Sequence, residues 1–513
     1  MHRLAGVGAR ADDSPDGPGL ADDTVRLTWR EVARHLDAVG GELLAVAPGP
    51  DARVAVTGEN TAATLLTHAA GILTGVGTVA VSRQLTAAEM ADQFRDAGVV
   101  AAVTGPAGLA ATVAAARATG VRTVVVHGTD APAGTTPWAA WTGSARTVPA
   151  TTDRPARPPL VYTSGTTGRA RGTTVRWAPS TVTDAAGYAA LLAGRSGFPP
   201  GPHLVVGPLQ HNGPLTSVRH LLSGQPVVVL GRFDPERVLQ LVQQHRVAST
   251  VMVPTHFTRL LALPEDVRRR FDVSSLRSVA HTGSACPPDV KRAMIAWFGP
   301  VLVESYGGSE IGTVCRISSD EWLAHPGSVG RVVPPFEVVV LDEQGRELPP
   351  GQTGLLGFRT PPGREVRFHA DEDKTRAAHP APGVATLGDV GHVTADGFVY
   401  VTDRVADMVV SGGVNLYPAE SEQVLQQHPA VADVAVIGVP DADLGETLRA
   451  LVVADGPAPA PAELDAWCRA RLAAYKCPRG YTVVESLPRT VMGKLDKRAL
   501  RRPFWDGERT IAG

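Results

Sequence analysis

Short apolar runs alternate with amphipathic stretches along the first two thirds of the chain. "RVAVTG" is followed by "TAATLLTHAAGIL" and "GTVAVS", then "VVAAVTG", an Ala-rich stretch and "TVVVHG". The same rhythm returns in "HLVVGP", "SVRHLLSG", "PVVVLG", "DPERVLQLVQQHRV" and "STVMVP". Strands alternating with helices predict βαβ units and largely parallel sheets. From about Phe336 the pattern becomes β-rich. "FEVVVLDEQGRELPPGQTGLLGFR" and "GHVTADGFVYVTDR" read as hairpins, the second turning at Asp396-Gly397. After Arg404 come a helix "AESEQVLQQH", strands "VADVAVIGV" and "LRALVVA", and a helix "AELDAWCRARLAAY", with "GPAPAPA" as a surface loop. The predicted fold class is α/β. A large N-terminal domain of βαβ-layered sheets with a β-rich subdomain spans residues 1–404, and a small α+β C-terminal domain spans 405–513.

Composition narrows the setting. A chain of 513 residues exceeds what one core fills, since single cores stop growing near ~250–300 residues. With 43% apolar and 19% charged residues it reads as an ordinary globular protein, and a net charge of −2 gives no basis for a nucleic-acid or membrane partner. Cys286, Cys315, Cys468 and Cys477 show neither close pairing nor metal-like spacing, so a reduced, cytoplasmic location is expected. The N-terminus has no apolar core of signal-peptide length, and no run approaches ~18 uninterrupted apolar residues. Only five of the 49 basic residues are lysines: Lys291, Lys374, Lys476, Lys494 and Lys497.

Four stretches carry candidate chemistry. The first, "YTSGTTGRARGTT", follows a strand and offers Thr163, Ser164, Gly165, Thr166, Thr167 and Gly168, with Arg171 close behind. Glycines let backbone approach an anion and the hydroxyls donate to it, although a lone loop of this kind is more often plain surface. The second, "VLVESYGGSEIGT", ends a strand at Tyr306-Gly307-Gly308-Ser309-Glu310, where a carboxylate past a glycine turn suits Mg²⁺ held against phosphates. The third is "TLGDVGHVTADGFVYVTDRVADMVVSGGVNLYPAE". Here Asp389 precedes a hairpin, Arg404 lies at its far end, and Ser411-Gly412-Gly413 forms a patch nearly free of side chains. The fourth is "LPRTVMGKLDKRAL", with Lys494 on a loop before a basic helix. In a chain that favours arginine, a retained lysine suggests a compact, flexible point charge.

In this order and spacing the four stretches resemble the adenylate-forming superfamily of acyl-CoA synthetases, carrier-loading adenylation domains and firefly-type luciferases. The resemblance runs from "RLTWREVARHL" to "DKRAL". It implies a mobile C-terminal domain and two half-reactions: a carboxylic acid and ATP give an acyl-adenylate and pyrophosphate, then a thiol displaces AMP. It assigns Thr163 to Gly168 and Arg171 to the phosphate loop, and Glu310 to Mg²⁺. Gly283, Ser284 and Ala285 with Tyr306, Gly307 and Ser309 fall to the nucleotide slot, and Asp389 and Arg404 to the ribose. Lys494 would bridge carboxylate and phosphate during adenylation, and His211 in "PLQHNGPL" would lie near the reacting carboxylate. "SGGVNLYPAE" has the form seen in CoA ligases, so Ser411, Gly412 and Gly413 would line the path of coenzyme A. "HNGPL" and "GSACPPDVKRAMIAWFGP" resemble actinobacterial ligases for steroid or bile acids, which implies a bulky polycyclic or terpenoid acid, with a fatty acid as the alternative.

Three positions depart from the family pattern. Ala170-Arg171-Gly172 replaces Pro-Lys-Gly, Ala406 stands at the hinge position, and Gln210 precedes His211 in place of an aromatic residue. The first departure falls on the element that serves ATP. This leaves three readings: a full ligase, a protein that mainly converts a pre-formed acyl-adenylate supplied by a separate adenylating enzyme, and a non-catalytic nucleotide-binding protein.

Overall fold

The structure, a computed structural model, describes residues 4–149, 153–163, 171–174, 182–362, 365–369, 371–404, 407–411, 414–441, 444–472, 474–489 and 495–505. Two compact units emerge. One comprises Met1–Pro335 with Thr360–His379, the other Phe336–Arg359 with Pro380–Gly513. The β-rich stretch after Phe336 thus groups largely with the C-terminal segment.

In the first unit helix α1 (Trp29–Val46) opens on a capping box, in which Thr28 and Glu31 satisfy each other's backbone N–H groups. It is followed by β1 (Arg53–Thr57), α2 (Ala62–Thr74), β2 (Gly77–Ala80), β3 (Val99–Thr104), β4 (Thr123–Val126) and β5 (Leu160–Thr163). The strands lie parallel in the order β4-β3-β1-β2-β5, and β6 (Arg171–Thr174) returns antiparallel on β5. Successive residues of β1 enter different cores: Val54 packs with α1 and α2, and Ala55 packs on the other face beside Met90 and Phe94. A parallel sheet buried on both faces needs near-continuous apolar runs, and residues 54–56, 99–103 and 124–126 supply them.

The second sheet of this unit is built from β7 (His203–Val205), β8 (Val227–Val229), β9 (Ser249–Met252), β10 (Ser278–His281), β11 (Leu302–Gly308) and β12 (Gly312–Ser318). Helix α3 (Pro235–His245) lies between β8 and β9, and α4 (Pro288–Phe298) between β10 and β11. The order β8-β7-β9-β10-β11 is parallel, and β12 turns back antiparallel on β11. Val205, Val227 and Val229 share the core that holds Val54, Ala101 and Val103, so one apolar layer serves both sheets.

The second unit begins with an antiparallel meander of β13 (Glu337–Leu341), β14 (Gly354–Arg359), β15 (Val384–Val393) and β16 (Phe398–Arg404). The turn at Asp396-Gly397 is present, with Gly397 at φ 85°. Then come β17 (Val409–Ser411), β18 (Val414–Leu416), α5 (Pro418–Leu425), β19 (Val431–Asp441), β20 (Gly445–Ala454), α6 (Pro461–Arg469), β21 (Gly480–Val483) and α7 (Lys497–Arg501). Strand β19 is covered on both faces: Val434 and Val436 enter one core, Ala435 and Ile437 another. Helix α6 is shorter than its sequence predicts. The Cys468 carbonyl accepts from both Arg471 and Leu472, which closes the helix, and Ala474–Lys476 form a separate turn. Among the described residues no helix is long and apolar enough to cross a membrane.

Candidate functional site

The strand before the candidate phosphate loop is β5, and the described residues on either side of that loop are anchored. Thr163 stands opposite Arg171 in the antiparallel register, so Arg171 begins a returning strand rather than lying within the loop. The Tyr162 hydroxyl donates to Asp96 Oδ2 at 2.6 Å. His369 donates its backbone N–H to the Gly172 carbonyl at 2.8 Å and its ring Nε2–H to the Asp96 carbonyl at 3.0 Å. Ser164, Gly165, Thr166, Thr167, Gly168 and Ala170 lie outside the described residues.

Two neighbouring strand ends carry the next group. Strand β10 ends at His281, and Gly283, Ser284 and Ala285 follow as an exposed turn that leads into α4. Gly283 adopts φ 93°, which disfavours any residue with a Cβ even though space is open there. The adjacent hairpin of β11 and β12 carries Tyr306, Gly307 and Ser309, with Glu310 at its tip, because β11 runs on to Gly308. A register shift falls between Tyr306 and Gly307, and a Cβ on Gly307 would land on the Gly312 carbonyl. Among the described residues no three potential ligands gather around a metal. The lone Glu310 carboxylate therefore fits Mg²⁺ only as an ion held chiefly by phosphate and water oxygens.

Beneath these turns lies a buried ion pair. Lys291 Nζ donates to Glu304 Oε2 at 2.5 Å, with the two side chains 1% and 10% exposed. Burial pulls the Lys291 ammonium down and pushes the Glu304 carboxyl up, and in each case the partner opposes the shift. Lys291 also stacks over the Trp322 ring, 4.6 Å from its centroid. His281 stands opposite Glu304 in the strand register and is held neutral, its pKa lowered to about 3 by burial and then by Lys291. Burial, followed by Glu304, raises the Cys286 thiol to about 12, so it is no nucleophile.

His211 caps the N-terminus of a short helix, Asn212–Leu215, its carbonyl accepting from Leu215 N at 3.0 Å. Asn60 holds the preceding segment. Its amide donates to the Gly207 and Leu230 carbonyls at 2.8 and 3.2 Å and accepts from Leu209 N at 2.9 Å. Gln210 reaches Ser82 Oγ at 3.1 Å.

In the second unit Asp389 lies inside β15, not ahead of the hairpin, and faces Arg404 in the register with β16. It is 5% exposed. One residue before Arg404, Asp403 Oδ2 accepts from Ala419 N at 3.0 Å and so caps α5. Lys497 pairs with Glu422 at 2.8 Å, and Arg501 pairs with Asp407. Burial disfavours charge on Lys497, but Glu422, Asp407 and Asp403 outweigh it and hold its pKa above the ordinary lysine value. Ser411 ends β17. Ala406, Gly412, Gly413 and Lys494 lie outside the described residues.

Sequence reasoning missed Asn60, His369, Tyr162, Asp96 and the Lys291–Glu304 pair. Only Asn60 left a signal, as a polar residue just after a predicted strand.

These elements define an α/β enzyme of the adenylate-forming class. The chain belongs to the AMP-binding enzyme family, whose pattern matches residues 8–363, and the family's C-terminal domain matches residues 420–494. It is similar to a 3-[(3aS,4S,7aS)-7a-methyl-1,5-dioxo-octahydro-1H-inden-4-yl]propanoyl:CoA ligase of Mycobacterium tuberculosis, with 33% identity over 510 residues, 95% of this chain and 96% of that one. A medium/long-chain-fatty-acid–CoA ligase of the same organism is 33% identical over 365 residues, 69% of this chain; the match spans only 62% of that relative's length. Among solved structures, the amide bond synthetase McbA of Marinactinospora thermotolerans superposes with a TM-score of 0.82 at 26% identity, covering 98% of this chain and all 100% of that one. The o-succinylbenzoate CoA synthetase of Bacillus subtilis, with its acyl-adenylate bound, gives 0.80 at 25% identity and covers 97% of each chain.

Proposed function

We propose that the protein is an acyl-CoA ligase that joins a bulky carboxylic acid to coenzyme A by way of an acyl-adenylate. The observation that carries this reading is a match along nearly the full length of a relative named as a CoA ligase for a fused-ring propanoate. In the first step a carboxylate oxygen attacks the α-phosphorus of ATP and the bond to pyrophosphate breaks. In the second, the CoA sulfur attacks the acyl carbon, the thiol proton leaves, and the carbon–oxygen bond to AMP breaks. The mixed anhydride makes AMP the leaving group where a free carboxylate has none.

The chain's own residues divide the work. Gly283, Ser284, Ala285, Tyr306, Gly307 and Ser309 hold the base and its surroundings, Asp389 and Arg404 the ribose, and Thr163 to Gly168 with Arg171 the leaving phosphates. Glu310 would hold Mg²⁺, which offsets phosphate charge when bound. Lys494 steadies the anions of the first step and His211 positions the carboxylate, while Ser411, Gly412 and Gly413 line the thiol's approach. Residues 405–513 rotate between the two steps as a domain distinct from 1–404.

A second reading rests on Ala170-Arg171 standing where the family usually has Pro-Lys: a weaker ATP-handling loop beside Ser411-Gly412-Gly413 of the CoA-ligase form would make adenylation slow and thioester formation fast. The relatives named above give no support to a separate adenylating enzyme. Non-catalytic nucleotide binding is the third reading. One experiment separates the three. Pyrophosphate release is measured with fused-ring and fatty acids plus ATP and Mg²⁺, and thioester formation is measured with synthetic acyl-adenylate and CoA. Both activities establish the full ligase. Thioester alone establishes the second reading. Nucleotide binding with neither activity overturns the enzymatic readings.

A further inference from the structure

We infer that the buried Lys291–Glu304 pair is a positioning device for the adenine end of the nucleotide site, tying together the two segments that bracket it. The inference rests on the reading in which Gly283 to Ala285 and Tyr306-Gly307 receive the base. Lys291 sits in the first half of α4, the helix that the 283–287 turn feeds into, and Glu304 lies two residues before Tyr306 on β11. Their 2.5 Å hydrogen bond is the cross-link between those elements.

Three features favour positioning over mere packing. Buried ion pairs add little stability against apolar side chains of similar volume, so a pair at this depth calls for another role. The chain prefers arginine almost everywhere, and its four described lysines all have defined partners. Lys374 lies over Phe368, Lys476 meets Glu420, Lys497 meets Glu422, and Lys291 meets both Glu304 and Trp322. The compact ammonium at position 291 is also boxed in: Trp322 lies over it, and His281 Nε2 approaches the same Glu304 oxygen at 3.7 Å. A planar guanidinium is larger and would press on these walls, moving the turn before α4 relative to Tyr306.

The test replaces both partners with apolar residues, Lys291→Met with Glu304→Leu, and measures the melting temperature, the Kd for ATP and AMP by calorimetry, and KM for each substrate. A melting temperature close to that of the parent protein is expected, with a roughly tenfold or greater rise in Kd and KM for nucleotide and KM for acid and CoA unchanged. Discrimination between ATP and GTP should narrow as well. A folded double variant that binds ATP as tightly as the parent overturns the inference. If the parent itself binds neither ATP nor AMP, the functional reading fails instead. Should the double variant not fold, Lys291→Arg decides, since it keeps both charges. Faster hydrogen exchange confined to residues 282–287 and 305–310, with weaker ATP binding, supports the positioning role, and unchanged exchange and affinity overturn it.

Discussion

Asp389 and Arg404 face each other at the open end of the β15–β16 hairpin, brought into register by a turn at Asp396-Gly397 and a bulge between Val390 and Gly391. Asp389 sets a buried carboxylate at this level of the ribbon, and a carboxylate there is suited to accept from a diol such as the ribose hydroxyls. The bulge matters because a one-residue slip would turn each side chain to the opposite face.

If Asp389 accepts from those hydroxyls, Asp389→Ala removes charge-assisted hydrogen bonds of about 1.5–3 kcal/mol in total. The expected result is a ~10- to 100-fold rise in KM for ATP, with KM for the acid little changed. Steady-state kinetics check it. A variant that loses its melting transition along with activity would show instead that the buried carboxylate serves the fold.

The phosphate loop gives a directional prediction. Ala170→Pro with Arg171→Lys restores the family's usual residues, and Arg171 opens strand β6 opposite Thr163, so the change need not disturb the anchored hairpin. Pyrophosphate release should rise several-fold, while thioester formation from supplied acyl-adenylate stays constant. Equal rates before and after would show that the arginine already serves the phosphates as well as lysine does.

The layered α/β body was legible because short, largely apolar strands alternate with helical stretches along the chain. Val54 and Ala55 enter opposite cores, as such a run implies. The Asp396-Gly397 turn was legible for its local chemistry. What could not be read were side chains whose partners lie far away in the sequence. Asn60 pins Gly207 from 147 positions distant, and His369 reaches Asp96 across 273. Lys291 on an amphipathic helix reads as a solvent-facing charge until β11 brings Glu304 against it. The start of β15 was misplaced because Gly388 resembles a strand stop, whereas here it stays within the strand.

Buried histidines predict acid sensitivity. His68 is 1% exposed, contacts Thr78 Oγ1 at 2.8 Å, and has its pKa lowered by burial to about 3. An unfolded histidine titrates near ~6.5, so below that pH the unfolded chain takes up a proton that the folded one refuses. The stabilising contribution is complete above about pH 6.5 and shrinks by about 1.4 kcal/mol per pH unit as pH falls toward 3. Urea midpoints at several pH values between ~4.5 and ~6.5 should therefore fall with acid. In His68→Gln the dependence should weaken by one proton's worth. Identical slopes would mean that His68 titrates normally in the folded protein.

Lys494 offers the sharpest separation of the two half-reactions. Its expected task is to offset two anions, the attacking carboxylate and the α-phosphate, as they approach each other. Removing a preorganised charge of that kind costs about 3–4 kcal/mol in comparable sites, or ~10²–10³ in rate. The second step begins from a neutral acyl carbon and a thiol and makes no such demand. Lys494→Ala should thus lower pyrophosphate release by that factor and leave thioester formation from supplied adenylate within about threefold of the parent rate. Lys494→Arg should recover little, since a rigid guanidinium cannot take the place of a compact ammonium between two anions. An equal loss in both half-reactions would place Lys494 in nucleotide binding and remove it from the chemistry of adenylation.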